Sequence, residues 1–184
     1  MGTDKSSIPI RGTPALEYLA ALLLRHCDHV LIAGIDRPVW WTASVQRTTF
    51  IPDPPDQQHL GPIVGIAHAI ELTHMPLLAV ACDMFNLNDA AVDALTAAWF
   101  SAPITAPGVV ARFTDPAGTI VYEPLFAIYH HSIYPILRQR MAEGRRSLRN
   151  AILEANFVPW DVPSNLQRHI ANYNDPDSLR ELTP

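Results

Sequence analysis

The apolar positions of this chain fall into two spacings, one of helices and one of strands. Leu16, Leu19, Ala20, Leu23 and Leu24 recur at intervals of three and four, the mark of one helical face. Thr13 suits the cap of that helix and Pro14 its first position. Residues 29–33 are a short apolar run ended by Gly34, and predict a strand. Residues 35–46 are irregular and hold a Trp40-Trp41 pair, which fills core or meets a partner. Residues 47–51 are β-prone, and a proline-rich loop follows from 52 to 60. Pro62 suits a first helical turn, after which Ile63, Ile66, Ala67 and Ile70 share a face. Gly65 lets that face approach a strand or a ligand closely. Residues 77–82 are an unbroken apolar run of strand length. They predict a strand buried on both faces of a parallel sheet, near its centre. The run ends in Asp83, at the carboxyl edge where open α/β sheets bind ligands. An acid in that position can also simply cap a turn or a helix.

Asn88 predicts the cap of a helix reaching about residue 100, with Ala91, Val92, Leu95 and Ala98 inward. Residues 109–113 and 119–122 flank a Thr-Asp-Pro-Ala-Gly turn and predict a hairpin. Ser132 suits the cap of a helix through 143, Gly144 its stop, and Ser147 the start of a short helix to about 156. Residues 157–162 predict a last strand, and Asn174 the cap of a closing helix. Helices alternate with apolar strands up to about residue 100, which predicts an α/β fold. The expected form is a three-layer sandwich around a mostly parallel, mixed sheet. No linker or internal repeat is visible, so residues 1–184 are expected to form one domain.

Composition narrows the function classes. Of 184 residues, 48% are apolar and 17% charged, which fits a packed globule. The net charge of −5, without a basic run, argues against a nucleic-acid surface. Cys27 and Cys82 share no metal spacing and read as buried thiols of a reducing compartment. No signal peptide or membrane-spanning apolar run is visible, so a cytoplasmic protein away from membranes is expected. His130-His131 lacks a metal-ligand partner at suitable spacing and reads as surface or loop histidines.

Several motifs, in order, cover nearly the whole chain. They are Met1-Gly2-Thr3-Asp4-Lys5, Ile8-Pro9-Ile10-Arg11-Gly12-Thr13-Pro14, Ile51-Pro52-Asp53, Gly61-Pro62-Ile63-Val64-Gly65-Ile66 and Ala81-Cys82-Asp83-Met84. Toward the C-terminus come Glu123-Pro124-Leu125-Phe126-Ala127-Ile128-Tyr129, Gly144-Arg145-Arg146-Ser147-Leu148-Arg149 and Asn172-Tyr173-Asn174-Asp175-Pro176. Together they resemble the molybdenum cofactor guanylyltransferases, of Rossmann-like nucleotidyltransferase fold. The resemblance implies transfer of the guanylyl group of GTP to the phosphate of molybdopterin, with Mg²⁺ and release of pyrophosphate. It implies GTP and a molybdopterin-type cofactor as ligands, and molybdoenzymes or cofactor-insertion proteins as partners.

The resemblance also suggests roles. Lys5 matches the lysine that reaches the nucleotide phosphates, although a lysine near a terminus can be simply solvated. Asp83 matches the Mg²⁺-holding aspartate. Asp53 matches a loop aspartate near the nucleoside, in a Pro-Asp-Pro setting where turn chemistry is the alternative. Gly61 and Gly65 match the loop and helix beside the base, and helix entry and close packing serve equally well. Arg145 and Arg146 suit capture of a pterin phosphate or pyrophosphate, but cations also favour a helix C-terminus for its own sake. Asn172 and Asn174 match a motif on the pterin side; a plain helix cap is the alternative for Asn174.

Three departures stand out. The family opens with a buried strand and a loop of the type Leu-Ala-Gly-Gly-x-Ser-x-Arg directly before Met-Gly-x-Asp-Lys, whereas this sequence starts at Met1. The expectation is a sheet without its first strand and with two unpaired edges. A start lying upstream, a strand from elsewhere or from a second subunit, and a non-catalytic relative that binds cofactor or a partner enzyme all remain open. Met84-Phe85 stands where proline usually follows the acid, and Gly34-Ile35-Asp36 replaces the polar residue usual after the second strand.

Overall fold

The computed structural model describes residues 5–10, 12–42, 45–115 and 117–171; of Lys5 it describes the backbone alone. A 3₁₀ turn, Lys5–Ser7, leads into two short paired strands, β1 (Pro9–Ile10) and β2 (Thr13–Pro14). Helix α1 spans Ala15–Leu23, so Pro14 precedes the helix instead of opening it. Strands β3 (Val30–Ala33) and β4 (Thr48–Ile51) pair in parallel. Helix α2 (Pro62–Thr73) connects β4 to β5 (Leu77–Val80), and α3 (Asp89–Ser101) follows. Strands β6 (Gly108–Thr114) and β7 (Ile120–Tyr129) form the hairpin, and α4 (Tyr134–Ala142) and α5 (Leu148–Glu154) come next. The described chain closes with β8 (Val158–Asp161) and α6 (Ser164–Gln167).

The caps follow from local chemistry. Asn88 Oδ1 accepts the Ala91 amide at 3.0 Å, and Ser147 Oγ accepts the Asn150 amide at 3.2 Å. Gly144 ends α4 at φ +68°, in the left-handed region that favours glycine. At the hairpin tip, Asp115 Oδ1 accepts the amides of Ala117 (3.0 Å) and Thr119 (2.8 Å). Ser132 belongs to a 3₁₀ turn, His131–Ile133, capped by His130 Nδ1, and α4 starts beyond it. The closing helix expected at Asn174 lies outside the described residues.

The larger sheet has the order β5-β7-β6-β8, with β5–β7 and β6–β7 antiparallel and β6–β8 parallel. Side chains alternate across it as the pleat requires. Val109, Ala111, Phe126 and Ile128 face Leu19 and Leu22 of α1 and Ala91, Val92 and Leu95 of α3. Val110, Ala127 and Tyr129 face Ile63, Val64, Ala67 and Ile70 of α2, Leu137 of α4 and Ile152 of α5. The result is a three-layer α/β sandwich.

The expectation for residues 77–82 needs correction. The strand ends at Val80, and its one neighbour among the described strands is β7, antiparallel. It therefore lies at an edge of its sheet. Its apolar run is nevertheless consistent with cover on both faces: Leu78 and Val80 pack into the α1–α3 layer, Leu77 and Ala79 into the α2–α4 layer. Periodicity reports faces, and strand direction is set by partners it does not see. Both helical layers span the two sheets. Leu16 and Ala20 of α1 pack on Val30 and Ile32 of β3, and Gly65 of α2 lies against Ala33. Among the described residues no strand joins β3 to β5, which leaves the two sheet edges that the sequence led us to expect.

Candidate active site

The parallel pairing of β3 with β4 sets their carboxyl ends side by side, and the Gly34 amide donates to Ile51 O at 3.0 Å. Asp53 follows β4 by two residues, and its Oδ2 lies 3.6 Å from where a Cβ at Gly34 would stand. Its Oδ1 is buried and meets no hydrogen-bond donor among the described residues. Burial pushes the Asp53 carboxyl above the usual carboxylate range, and the His68 charge pulls it partly back.

Gly61 caps α2 at φ +74°, and a Cβ there would meet nothing within 4 Å. Gly65 differs. A Cβ built on it would stand 2.6 Å from the Ala33 Cβ, so a bare backbone is what lets α2 reach β3. The packing role of Gly65 is thus visible in the fold. Gly61, Gly65 and His68 stand at i, i+4 and i+7, one stripe of the helix. Val64, at i+3 on the same face, is buried in the core, and His68 beyond it is half-buried.

Asp83 lies past β5, whose pairing extends to Ala81 through its amide to Leu125 O at 3.0 Å. Two successive turns, Met84 N to Ala81 O and Leu87 N to Met84 O, carry Asp83 into the Asn88 cap. The side chain is half-buried. The start of α2 touches the end of β3. Its last residues share a hollow with His131, which follows Tyr129, the partner of Leu77 at the start of β5. Hence β5 ends where β3 ends, and Asp53, Gly61 and Asp83 lie at one end of the sandwich.

Helix α4 starts at the opposite end and packs against α2, so the Gly144–Ser147 turn points back toward the acids. Arg145 is bound into that turn: its Nε lies 2.5 Å from Glu143 and one terminal nitrogen 3.3 Å from Glu154. Buried Arg140 donates to Glu154 at 2.7 Å and to Ser147 O at 3.3 Å. Arg146 is exposed and makes no ion pair among the described residues. The Lys5 side chain, Asn172 and Asn174 lie outside the described residues. His130 and His131 sit at the far end, where His130 stacks on Trp99 with centroids 6.2 Å apart. The sequence reading did not single out His68 or Arg140. The i, i+4, i+7 stripe could have pointed to His68; nothing local marks an arginine as buried.

A family model for the MobA-like NTP transferase domain matches residues 1–157. The chain belongs to that family. A probable molybdenum cofactor guanylyltransferase of Chloroflexus aggregans is 28% identical over 97% of this chain and 85% of its own length. A molybdenum cofactor guanylyltransferase of Pseudomonas putida F1 is 21% identical over 98% and 88%. Among solved structures, molybdopterin-guanine dinucleotide biosynthesis protein A of Archaeoglobus fulgidus superposes with a TM-score of 0.76 at 20% identity, covering 98% of this chain and 89% of that one. The 2-C-methyl-D-erythritol 4-phosphate cytidylyltransferase of Thermus thermophilus gives 0.74 at 11%, covering 97% and 91%. At these identities the two structures share the fold with this MobA-like chain. No described helix is long and apolar enough to cross a membrane.

Proposed function

We propose that this MobA-like chain is an Mg²⁺-dependent guanylyltransferase, acting in the cytoplasm, that moves GMP from GTP onto the phosphate of molybdopterin-type cofactor. The observation that carries the reading is the gathering of Asp53, Gly61 and Asp83 at one end of the sandwich, with a buried oxygen of Asp53 left for a ligand's donors. The names of the relatives support the acceptor and the base.

An oxygen of the acceptor phosphate attacks the α-phosphorus of GTP. The bond from that phosphorus to the oxygen bridging to the β-phosphate breaks, and pyrophosphate leaves with the electron pair. When bound, Mg²⁺ would neutralise charge on the α-phosphate and on the departing pyrophosphate. Asp83 would hold it. Among the described residues no three His, Cys, Asp or Glu side chains converge to hold a metal. That donor set fits Mg²⁺, which commonly takes one or two carboxylates and fills the rest with water and substrate phosphates. Lys5 is assigned to the phosphates, and Gly61 and Gly65 to the floor under the base. Arg146 is assigned to the acceptor's anion, with Arg145 bracing the turn that presents it. Asn172 and Asn174 are assigned to the pterin side.

The test is transfer from GTP radiolabelled at the α-phosphate, by the purified full-length protein with Mg²⁺ and molybdopterin. Label should pass to the cofactor and depend on both Mg²⁺ and molybdopterin. Transfer of a different nucleotide in preference to GMP would overturn the assignment of the base.

A further inference from the structure

Strand β7 carries an irregularity at the end of the sheet where the acids lie. It pairs with β6 at Ala127–Val110 and next at Glu123–Ala111, so Pro124, Leu125 and Phe126 have no counterpart on β6. The excess resets the alternation of the pleat. Tyr122 before it, and Ala127 and Tyr129 after it, all face the layer of α2, α4 and α5, although 122 and 127 are an odd number of residues apart. Pro124 suits such a place, since it has no N–H to give to a ladder. The bulged residues turn to β5 instead. Phe126 stands opposite Val80, and Leu125 O accepts the Ala81 amide at 3.0 Å.

Ala81 also opens the turn that holds Asp83, because its carbonyl accepts the Met84 amide at 3.3 Å. One residue thus joins the bulge to the acid-bearing turn. Two side chains hold the bulge in shape. Glu123 Oε1 accepts the Leu125 amide at 3.3 Å. From the core, the Tyr129 hydroxyl donates to Pro124 O at 2.8 Å. Tyr129 is fully buried, its ring edge-on to Phe157 with centroids 5.1 Å apart. A phenylalanine would fill nearly the same space, so what the hydroxyl adds is the bond to Pro124. Burial, with Glu123 adding to it, pushes the Tyr129 phenol above its ordinary value, and the hydroxyl keeps its proton and donates.

We propose that Tyr129 is a positioning residue for Asp83, its buried hydroxyl fixing the β7 bulge from which the Asp83 turn hangs. The inference rests on the guanylyl reading above and deepens it. Tyr129 touches no substrate atom and acts through Pro124, Leu125 and Ala81. Without the hydroxyl, the bulge has a carbonyl short of its donor and the turn loses part of its anchor. Asp83 then spends less time where a metal–nucleotide complex would meet it.

Tyr129→Phe in the full-length protein tests this. The control is Tyr134→Phe, which removes the hydroxyl bonded to Glu71 at the opposite end of the sandwich. Amide hydrogen exchange at Ala81 and Met84 should quicken about fivefold or more in Tyr129→Phe, the worth of about one hydrogen bond. It should stay unchanged in Tyr134→Phe. Binding of the Mn²⁺–GTP complex, with Mn²⁺ standing in for Mg²⁺ and followed by electron paramagnetic resonance, should weaken about tenfold in Tyr129→Phe alone. That is the lower end of what the outer supports of a metal ligand supply. Thermal unfolding establishes that both variants are folded. Unchanged exchange at Ala81 and Met84 in folded Tyr129→Phe overturns the proposal, and so does equal quickening in both variants. Quickened exchange with undiminished Mn²⁺–GTP binding makes the hydroxyl a purely structural bond and overturns the positioning role. If exchange quickens in Tyr129→Phe but the wild type itself does not bind Mn²⁺–GTP, the hold on the turn stands and the guanylyl reading falls.

Discussion

Gly65 shows how one residue can look ambiguous in sequence and be decided by packing. A glycine inside a helix costs about 1 kcal/mol against alanine, so alanine at an unpacked position would stabilise. Here the added Cβ would stand 2.6 Å from the Ala33 Cβ, and overpacking costs about 1–3 kcal/mol. The second effect wins. Gly65→Ala is expected to lower the urea midpoint, and an unchanged or raised midpoint would show that β3 and α2 can separate freely. The caps at Asn88 and Ser147 were legible because they depend on neighbours within three residues. The Asp53 oxygen that meets no donor among the described residues was not. It arises from β3, β4 and α2 meeting, and no local pattern records that meeting. The Lys5 side chain, Asn172 and Asn174 rest on the family resemblance alone.

Between elements, two polar junctions tie the helices. Arg140 is 3% exposed and its ion-pair partner Glu154 joins α5 to α4. Glu154→Ala would leave that guanidinium buried with Ser147 O as its remaining partner from this junction. Breaking a fully buried pair costs about 3–5 kcal/mol, and the 39% exposure of Glu154 brings the expectation to about 1–3 kcal/mol. A loss of under about 0.5 kcal/mol in chemical denaturation, the level of an exposed pair, would contradict the bracing role. At the other junction, Arg25 donates to both oxygens of Asp89 at 2.9 and 2.8 Å, and His26 Nε2 lies 2.7 Å from Asp89 Oδ1. These bonds, Arg25 first, hold the Asp89 carboxyl down to about 2. A lowered carboxyl adds stability above its unfolded value and loses it as pH falls through the folded one. The stability difference between wild type and Asp89→Asn should therefore be small, present at neutral pH and gone near pH 2. A difference that persists at the acid limit would rule out the ion pair as its source. Strand β5 marks the limit of sequence reading at this scale. Its burial on two faces was legible, but its antiparallel partner β7 lies more than 40 residues away and left no trace in its own pattern.

For the molecule as a whole, alternation of helices and strands was enough to predict a layered α/β fold, and the sandwich follows it. The two helical layers bridge a break between the β3–β4 pair and the four-stranded sheet. Edge amides without partners open readily, so hydrogen exchange should be fast along the outer edges of β3 and β5 and slowest in β6 and β7. Equal protection across all these strands would contradict the break. The same arrangement brings Asp53 and Asp83 to one end, the placement on which the proposed chemistry depends. The most direct test is pyrophosphate release by the full-length protein supplied with GTP, Mg²⁺ and molybdopterin, with wild type and Asp83→Asn compared side by side. The expected result is molybdopterin-dependent release that falls about a hundredfold or more in Asp83→Asn, the loss of roughly 3 kcal/mol of metal-borne stabilisation. Release undiminished in a folded Asp83→Asn, or none in the wild type under any ratio of the three, would contradict it.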